Sequence, residues 1–171
     1  MTSPAGPHTR RRTAPSGGAP YVVAHDEQSA VSIDVEHLAG LALAVLRAQG
    51  VSGPAELSLT FVDDDTIGEC NRQFLDGDGP TDVLAFPIDP RESDGDGPGV
   101  PRLLGDVLVC PAVAERQAAE RGGRTDDELA LLVVHGVLHV LGMDHAEAGE
   151  AATMQARERD LLAGFHHRAG R

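Results

Sequence analysis

The alternation of apolar and polar positions along the chain predicts four short strands and five helices. Residues 56–62 alternate with the period of two that marks a half-buried strand, whereas residues 34–49 repeat apolar side chains at helical spacing. In chain order the predictions are a strand at 21–24, a helix at 34–49, a strand at 56–62, a helix at 63–74, strands at 82–88 and 103–110, and helices from 111, at 125–140 and at 146–162. Four strands followed by a helical run fit an α+β layer fold.

The residues at several predicted helix ends are typical of helix caps. Asp34 is placed to cap the first helix and Gly50 to close it. Thr125 together with Glu128 has the spacing of a capping box for the helix that follows. Gly142 ends that helix with a reversal that glycine makes at low cost.

The same pattern predicts one folded domain at residues 21–165 between two tails. Residues 1–20 are rich in Pro, Gly, Ser and Thr without periodicity, so we expect a disordered tail there. Residues 166–171 are expected to form a C-terminal tail with the pair His166 and His167 at a solvated end. Acidic residues among Gly and Pro predict an exposed loop at 89–101.

Composition limits the classes of protein to consider. The 171 residues carry a formal net charge of −13, all the basic side chains are arginines, and 41% of residues are hydrophobic, which is enough for a core. This acidity argues against binding nucleic acid through bulk positive charge. The excess is concentrated in residues 56–106, which carry a net −10, whereas residues 107–171 hold seven arginines and a net −3.

Two cysteines without a CxxC pair suit a reducing compartment. The apolar runs are too short to span a bilayer, and Arg10, Arg11 and Arg12 are not followed by the apolar core of a signal peptide. A cytoplasmic protein without membrane contact is therefore expected.

The candidate chemistry lies in three histidines, His135, His139 and His145. The first two are four residues apart on a predicted helix, so their imidazoles share one face and can reach one metal ion. The turn at Gly142 can bring His145 back to the same point. Three histidines leave the fourth tetrahedral position open to water, as in a catalytic zinc site.

This spacing matches the HExxHxxGxxH frame of metzincin proteases except at one position. Gly136 stands where those enzymes keep the glutamate that acts as general base. Loss of such a base removes a contribution of about 10²–10⁴-fold to the rate. The departure favours a substrate other than a peptide.

Three motifs in matching order resemble the YbeY family of bacterial endoribonucleases over residues 21–163. Residues 135–145 are similar to its HGxLHLxGxDH signature, residues 80–87 to its PTDVLSFP strand, and residues 105–110 to its GDI-type strand. The resemblance implies a mixed sheet layered with helices, with the metal at one end of a central helix. It implies one zinc ion on His135, His139 and His145.

The resemblance also implies cleavage of single-stranded RNA, in particular maturation of the small-subunit ribosomal RNA 3′ end, and ribosome quality control. The expected partners are ribosomal RNA and the ribosome or its small subunit, with no role for DNA. Whether the nucleophile is metal hydroxide or the RNA 2′-hydroxyl stays open.

One position departs from the family. An arginine that many members carry after the aromatic residue of an N-x-x-Y-R stretch is Leu75 here, and Arg72 is a candidate substitute one turn earlier. Asp82 is a second candidate substrate contact, although it can equally set a turn. Asp144 is a candidate for orienting a ligand histidine through its second nitrogen, or for a turn contact.

Two other functions remain open at this point. One is a metallopeptidase with metzincin-like spacing, against which Gly136 is the main feature. The other is a ribosome-associated factor in which zinc stabilises the fold without catalysis.

Overall fold

The computed structural model describes residues 18–88, 99–143 and 147–169. In chain order the elements are β1 (Pro20–Asp26), α1 (Val35–Ala48), β2 (Ala55–Phe61), α2 (Asp64–Leu75), β3 (Val83–Pro87), β4 (Arg102–Val109), α3 (Pro111–Arg121), α4 (Thr125–Val140) and α5 (Ala148–Ala169). The predicted α+β class and the order of elements are confirmed. Most of the predicted N-terminal tail and of the acidic loop lies outside the described residues.

The sheet is mixed, with the strand order β1-β2-β4-β3. β1, β2 and β4 run parallel, and β3 pairs antiparallel with β4 at the edge. Pairing along β4 passes from Leu103 to Gly105 opposite consecutive residues of β2, so Leu104 forms a bulge.

The two faces of the sheet carry different helices. The larger apolar core lies on one face, where α1 and α4 pack against the sheet, α5 packs against these two helices, and Leu57, Leu59 and Phe61 of β2 are buried. The smaller cluster lies on the other face, where Ile67 of α2 packs with Leu84 of β3. The alternation predicted for β2 is therefore confirmed.

Helix α4 is the centre of the larger core. It packs against α1, α3, α5, β3 and β4, and most of its residues from Leu129 onward are buried. A helix that is apolar around its whole circumference is typical of a buried position. Leu131, His135 and His139 keep partial exposure, and their spacing of four residues places them in one stripe along the helix.

The predicted helix ends are confirmed at several positions. Asp34 accepts a hydrogen bond from the backbone N–H of His37 at 3.0 Å. Gly142 has φ +94°, and the N–H of Met143 donates to the carbonyl of Leu138 at 3.0 Å, which closes α4 in a Schellman-type turn.

The capping box predicted for α4 is wrong. The N-cap is Arg124 rather than Thr125, and no side-chain hydrogen bond caps the helix. Because Thr125 is the first residue of the helix itself, its side chain does not occupy the N-cap position. Glu128 instead accepts a hydrogen bond from Arg121 at 3.0 Å, which joins α3 to α4.

The last helix also differs from its prediction. It continues beyond Leu162 to Ala169, and the His166 side chain is only 11% exposed. Its Nε2 lies 2.8 Å from a carboxylate oxygen of Asp127, and its Nδ1 lies 2.9 Å from Nε2 of His37. The interpretation of His166 as part of a solvated end is therefore wrong, because this side chain links α1, α4 and α5.

No helix in the described ranges is long and apolar enough to cross a membrane.

An exposed ion pair joins α2 to α3 on the second face of the sheet. Arg116 donates two hydrogen bonds to the Asp64 carboxylate, at 3.0 and 3.2 Å, and this lowers the pKa of Asp64 below its usual value. The Cys110 thiol also donates to Asp64, and burial raises the pKa of that thiol. Cys110 is therefore unsuited to act as a thiolate nucleophile.

Substitution of Gly105 by alanine is expected to destabilise the fold. Its φ is +149°, and an added Cβ would overlap the Phe86 carbonyl oxygen and lie 3.1 Å from Val140. The strained backbone and the overlap together predict a loss of roughly 2 kcal/mol or more in the free energy of unfolding. Urea unfolding of the variant and of wild type measures this loss of stability. Gly164→Ala on α5, where an added Cβ meets nothing within 4 Å, is the control, and an equal effect of both variants would contradict the explanation.

The pKa shift of Asp64 predicts a dependence of stability on acid. Because its pKa is lowered in the folded state, the ionised carboxylate stabilises the fold above the unfolded pKa, and this stabilisation is lost as the pH falls below about 4. Asp64→Asn should therefore lose less stability than wild type between pH 5 and pH 3 in urea unfolding. Asp65→Asn should behave like wild type. The difference should shrink in 1 M salt, since the pair is exposed.

Candidate metal centre

Two of the three predicted ligands lie side by side on the partly exposed stripe of α4. The Nε2 atoms of His135 and His139 are 3.0 Å apart, and the ring centroids are 4.5 Å apart. Two nitrogens bound tetrahedrally at about 2.0–2.1 Å from one ion would lie roughly 3.3 Å apart. The pair therefore has the donor chemistry and the approximate separation needed to share a metal ion.

The remaining ligand prediction lies outside the described residues. The structure describes the chain up to Met143 and again from Glu147, so neither His145 nor Asp144 is included. Within the described ranges no group of three histidine, cysteine or acidic residues forms a possible metal site. The Gly142 turn is present, but the third ligand and the role of Asp144 stay predictions.

Glu158 of α5 contacts the histidine pair and was missed in the sequence. Its Oε1 lies 2.5 Å from Nδ1 of His135, on the ring edge opposite the nitrogen that approaches His139. The sequence did carry a signal, because Glu158 lies between Met154 and Leu161 in the apolar stripe of α5. An acidic residue at a core position of an amphipathic helix is uncommon unless it is paired.

Gly136 allows α4 to approach the sheet closely. A Cβ added there would lie 2.6 Å from Cγ1 of Val107 on β4 and 3.2 Å from Cγ2 of Val83 on β3. A side chain at this position would therefore point into packed strands instead of toward the histidine pair. The glutamate that a metzincin base requires has no room in this arrangement.

The two predicted substrate contacts have other surroundings. Arg72 lies on α2, on the face of the sheet opposite α4, in a shallow depression that it shares with Asp64, Asp65, Glu69 and Asp78. Asp82 accepts hydrogen bonds from the backbone N–H of Val83 at 2.8 Å and from Gln117 at 3.2 Å. Its described contacts thus hold the start of β3 and join it to α3.

Leu75, at the place of the family arginine, is 56% exposed at the end of α2. Its neighbour Phe74 is 60% exposed and contacts Phe86 edge to face, with ring centroids 5.6 Å apart. The end of α2 therefore presents an apolar surface at the position that the sequence resemblance compares with an arginine.

Comparisons with known proteins agree on one family. The model of the family described as Endoribonuclease YbeY matches residues 23–166. A protein named Endoribonuclease YbeY from Salinispora tropica is 46% identical over 145 residues, which cover 81% of this chain and 92% of the relative. One of the same name from Mycolicibacterium gilvum is 42% identical over 139 residues, covering 79% and 78%.

Among solved structures, the solution structure of TM1509 from Thermotoga maritima is similar in fold. Its TM-score is 0.54 at 24% identity, and the match covers 87% of this chain and 93% of that one. At this identity the likeness supports the α+β fold alone.

Substitution of Gly136 by alanine should separate α4 from the sheet. The contact with Val107 predicts a loss of about 1–3 kcal/mol in the free energy of unfolding. In a Val107→Ala background the same substitution should lower the free energy of unfolding by less, because the clashing methyl group is gone. A double-mutant cycle by urea unfolding measures this coupling. Strictly additive effects of the two substitutions would contradict the packing explanation.

Proposed function

The chain belongs to the YbeY endoribonuclease family, and we propose that it cleaves single-stranded RNA with one zinc ion held by His135, His139 and His145. The observation that carries this proposal is the approach of the His135 and His139 Nε2 atoms to within 3.0 Å on the partly exposed stripe of α4. The 46% identical relative named as an endoribonuclease supports the reaction type.

Three neutral imidazoles that leave the fourth coordination position to water or substrate suit zinc. The same ligands also bind nickel and cobalt. When bound, zinc supplies a Lewis acid that offsets the charge of a scissile phosphate. His135 and His139 contribute by holding their rings on a rigid, buried helix, so that the ligand geometry is set before the ion or the RNA arrives. Their partial exposure leaves the site open to a substrate on one side.

The proposed substrate is ribosomal RNA, at the 3′ end of the small-subunit RNA, in the cytoplasm. The net charge of −13 disfavours tight binding to naked RNA by charge alone. We therefore propose that the ribosome or its small subunit presents the strand, in maturation and in quality control. DNA and membranes have no part in this proposal.

Three further residues have proposed roles. Asp144 is adjacent in sequence to His145 and is a candidate for orienting a ligand ring. Arg72 and Asp82 remain candidate contacts to the RNA strand. Both already lie among other partners or charges, Asp82 with Gln117 and Arg72 beside acidic residues, and this makes them weaker candidates than the histidines.

The decisive prediction concerns His139. His139→Ala should lose zinc, measured by elemental analysis, and should cut a single-stranded RNA oligonucleotide at least 100-fold more slowly than wild type. A chelator should have the same effect on wild type, and added zinc should reverse it. His25→Ala, a histidine on β1 outside the site, should keep both zinc and activity.

Three results would contradict the proposal. Wild-type protein that holds no metal and cuts RNA no faster than His139→Ala contradicts the metal centre. Digestion of casein in the same samples would favour the metallopeptidase. Zinc that is retained and stabilises the fold without cleavage, including on small ribosomal subunits, would favour the non-catalytic factor.

The products identify the nucleophile. Attack by the RNA 2′-hydroxyl leaves a 2′,3′-cyclic phosphate, whereas attack by water leaves an acyclic phosphate end. A substrate with a single 2′-deoxy substitution at the cleaved position distinguishes the two routes, because it stops only the first.

A further inference from the structure

Glu158 is the one charged or polar residue that is buried in the described part of the chain, at 7% exposure. Its neighbours in the buried stripe of α5 are Met154 and Leu161, which are 1% and 3% exposed. Burying a carboxylate among apolar groups is unfavourable unless a partner satisfies it. The position therefore requires an explanation beyond helix packing.

The partner is Nδ1 of His135, at 2.5 Å from Oε1 of Glu158. A carboxylate oxygen accepts hydrogen bonds, so this contact is made by the form of His135 that carries its hydrogen on Nδ1. In a neutral imidazole this leaves the lone pair on Nε2, which is the atom that lies 3.0 Å from Nε2 of His139. The contact thus selects the tautomer in which His135 can donate an electron pair toward the site.

We propose that Glu158 is a positioning residue for the metal centre, which it serves by fixing the tautomer and ring orientation of His135. This inference rests on the proposed function only in taking His135 as a metal ligand. Carboxylates that accept the second N–H of a ligand histidine hold the ring and raise its basicity. The negative charge of Glu158 also lies one ring away from where a divalent cation would be held.

A second consequence concerns the C-terminal helix. Glu158 lies on α5, whereas His135 lies on α4, so the contact joins the metal centre to the packing of another helix. Ligand geometry at His135 then depends on α5 being docked. Metal binding should in turn stabilise α5 in place, since the same hydrogen bond serves both.

The test is the zinc affinity of Glu158 variants of the full chain, measured by competition with a chromophoric chelator. Glu158→Ala should bind zinc about 10–100-fold more weakly than wild type. Glu158→Gln keeps the shape and an accepting oxygen but loses the charge, so its affinity should fall less, by about fivefold. Asp160→Asn, which removes an exposed carboxylate two residues along the same helix, should leave the affinity unchanged.

A spectroscopic readout separates positioning from a purely structural role. Long-range ¹H–¹⁵N spectra of the metal-free protein should show His135 as the Nδ1–H tautomer in wild type and in Asp160→Asn. In Glu158→Ala the Nε2–H form should gain population, because the carboxylate that contacts Nδ1 is gone. A structural ion pair alone would change the melting temperature and leave the zinc affinity as it is.

The inference is overturned if folded Glu158→Ala binds zinc within twofold of wild type. Should Glu158→Ala fail to fold by circular dichroism, Glu158→Gln decides, and an affinity within twofold of wild type overturns the inference. Failure of the proposed function looks different. Wild-type protein that binds zinc through the histidines but does not cut RNA contradicts the nuclease and leaves the effect of Glu158 on affinity intact.

Discussion

The close approach of α4 to the sheet at Gly136 is the constraint on which the rest of the structure depends. With no side chain at this position, the helix lies directly against Val107 and Val83, and the larger core closes around it. The helix is then covered on every side except the stripe that carries His135 and His139. A glycine that looks like the loss of a catalytic base in the sequence is therefore a packing residue that places the two histidines.

Charge is distributed unequally between the two faces of the sheet. The histidine pair lies on α4 in the nearly neutral segment 107–171, whereas the most acidic segment, 56–106, includes α2 on the other face of the sheet. The net charge of the whole chain therefore gives little information about the electrostatic potential at the candidate site. At the site itself Glu158 contacts His135, and a carboxylate suits a bound cation better than a phosphate. The proposal that a partner presents the RNA strand is consistent with this distribution of charge.

Local signals predicted most of the fold. The alternation in residues 56–62, the cap at Asp34 and the glycine turn at Gly142 all act over one or two helical turns or strand repeats, and all are confirmed. The wrong predictions concern residues whose side-chain contacts come from other helices. Glu128 pairs with Arg121 in place of a capping box at Thr125, and the expected solvated end at His166 is held by residues of α1 and α4.

The sequence by itself predicted that two of the candidate ligands, His135 and His139, lie together, because four-residue spacing on a helix places two imidazoles on one face whatever surrounds them. It also contained the glycine in place of a catalytic glutamate. Only the tertiary structure decided why Gly136 is needed and which carboxylate serves His135. Glu158 is 23 residues away on another helix, and helical periodicity carries no information about how two helices dock. Packing of α5 against α4 brings that carboxylate to the ring.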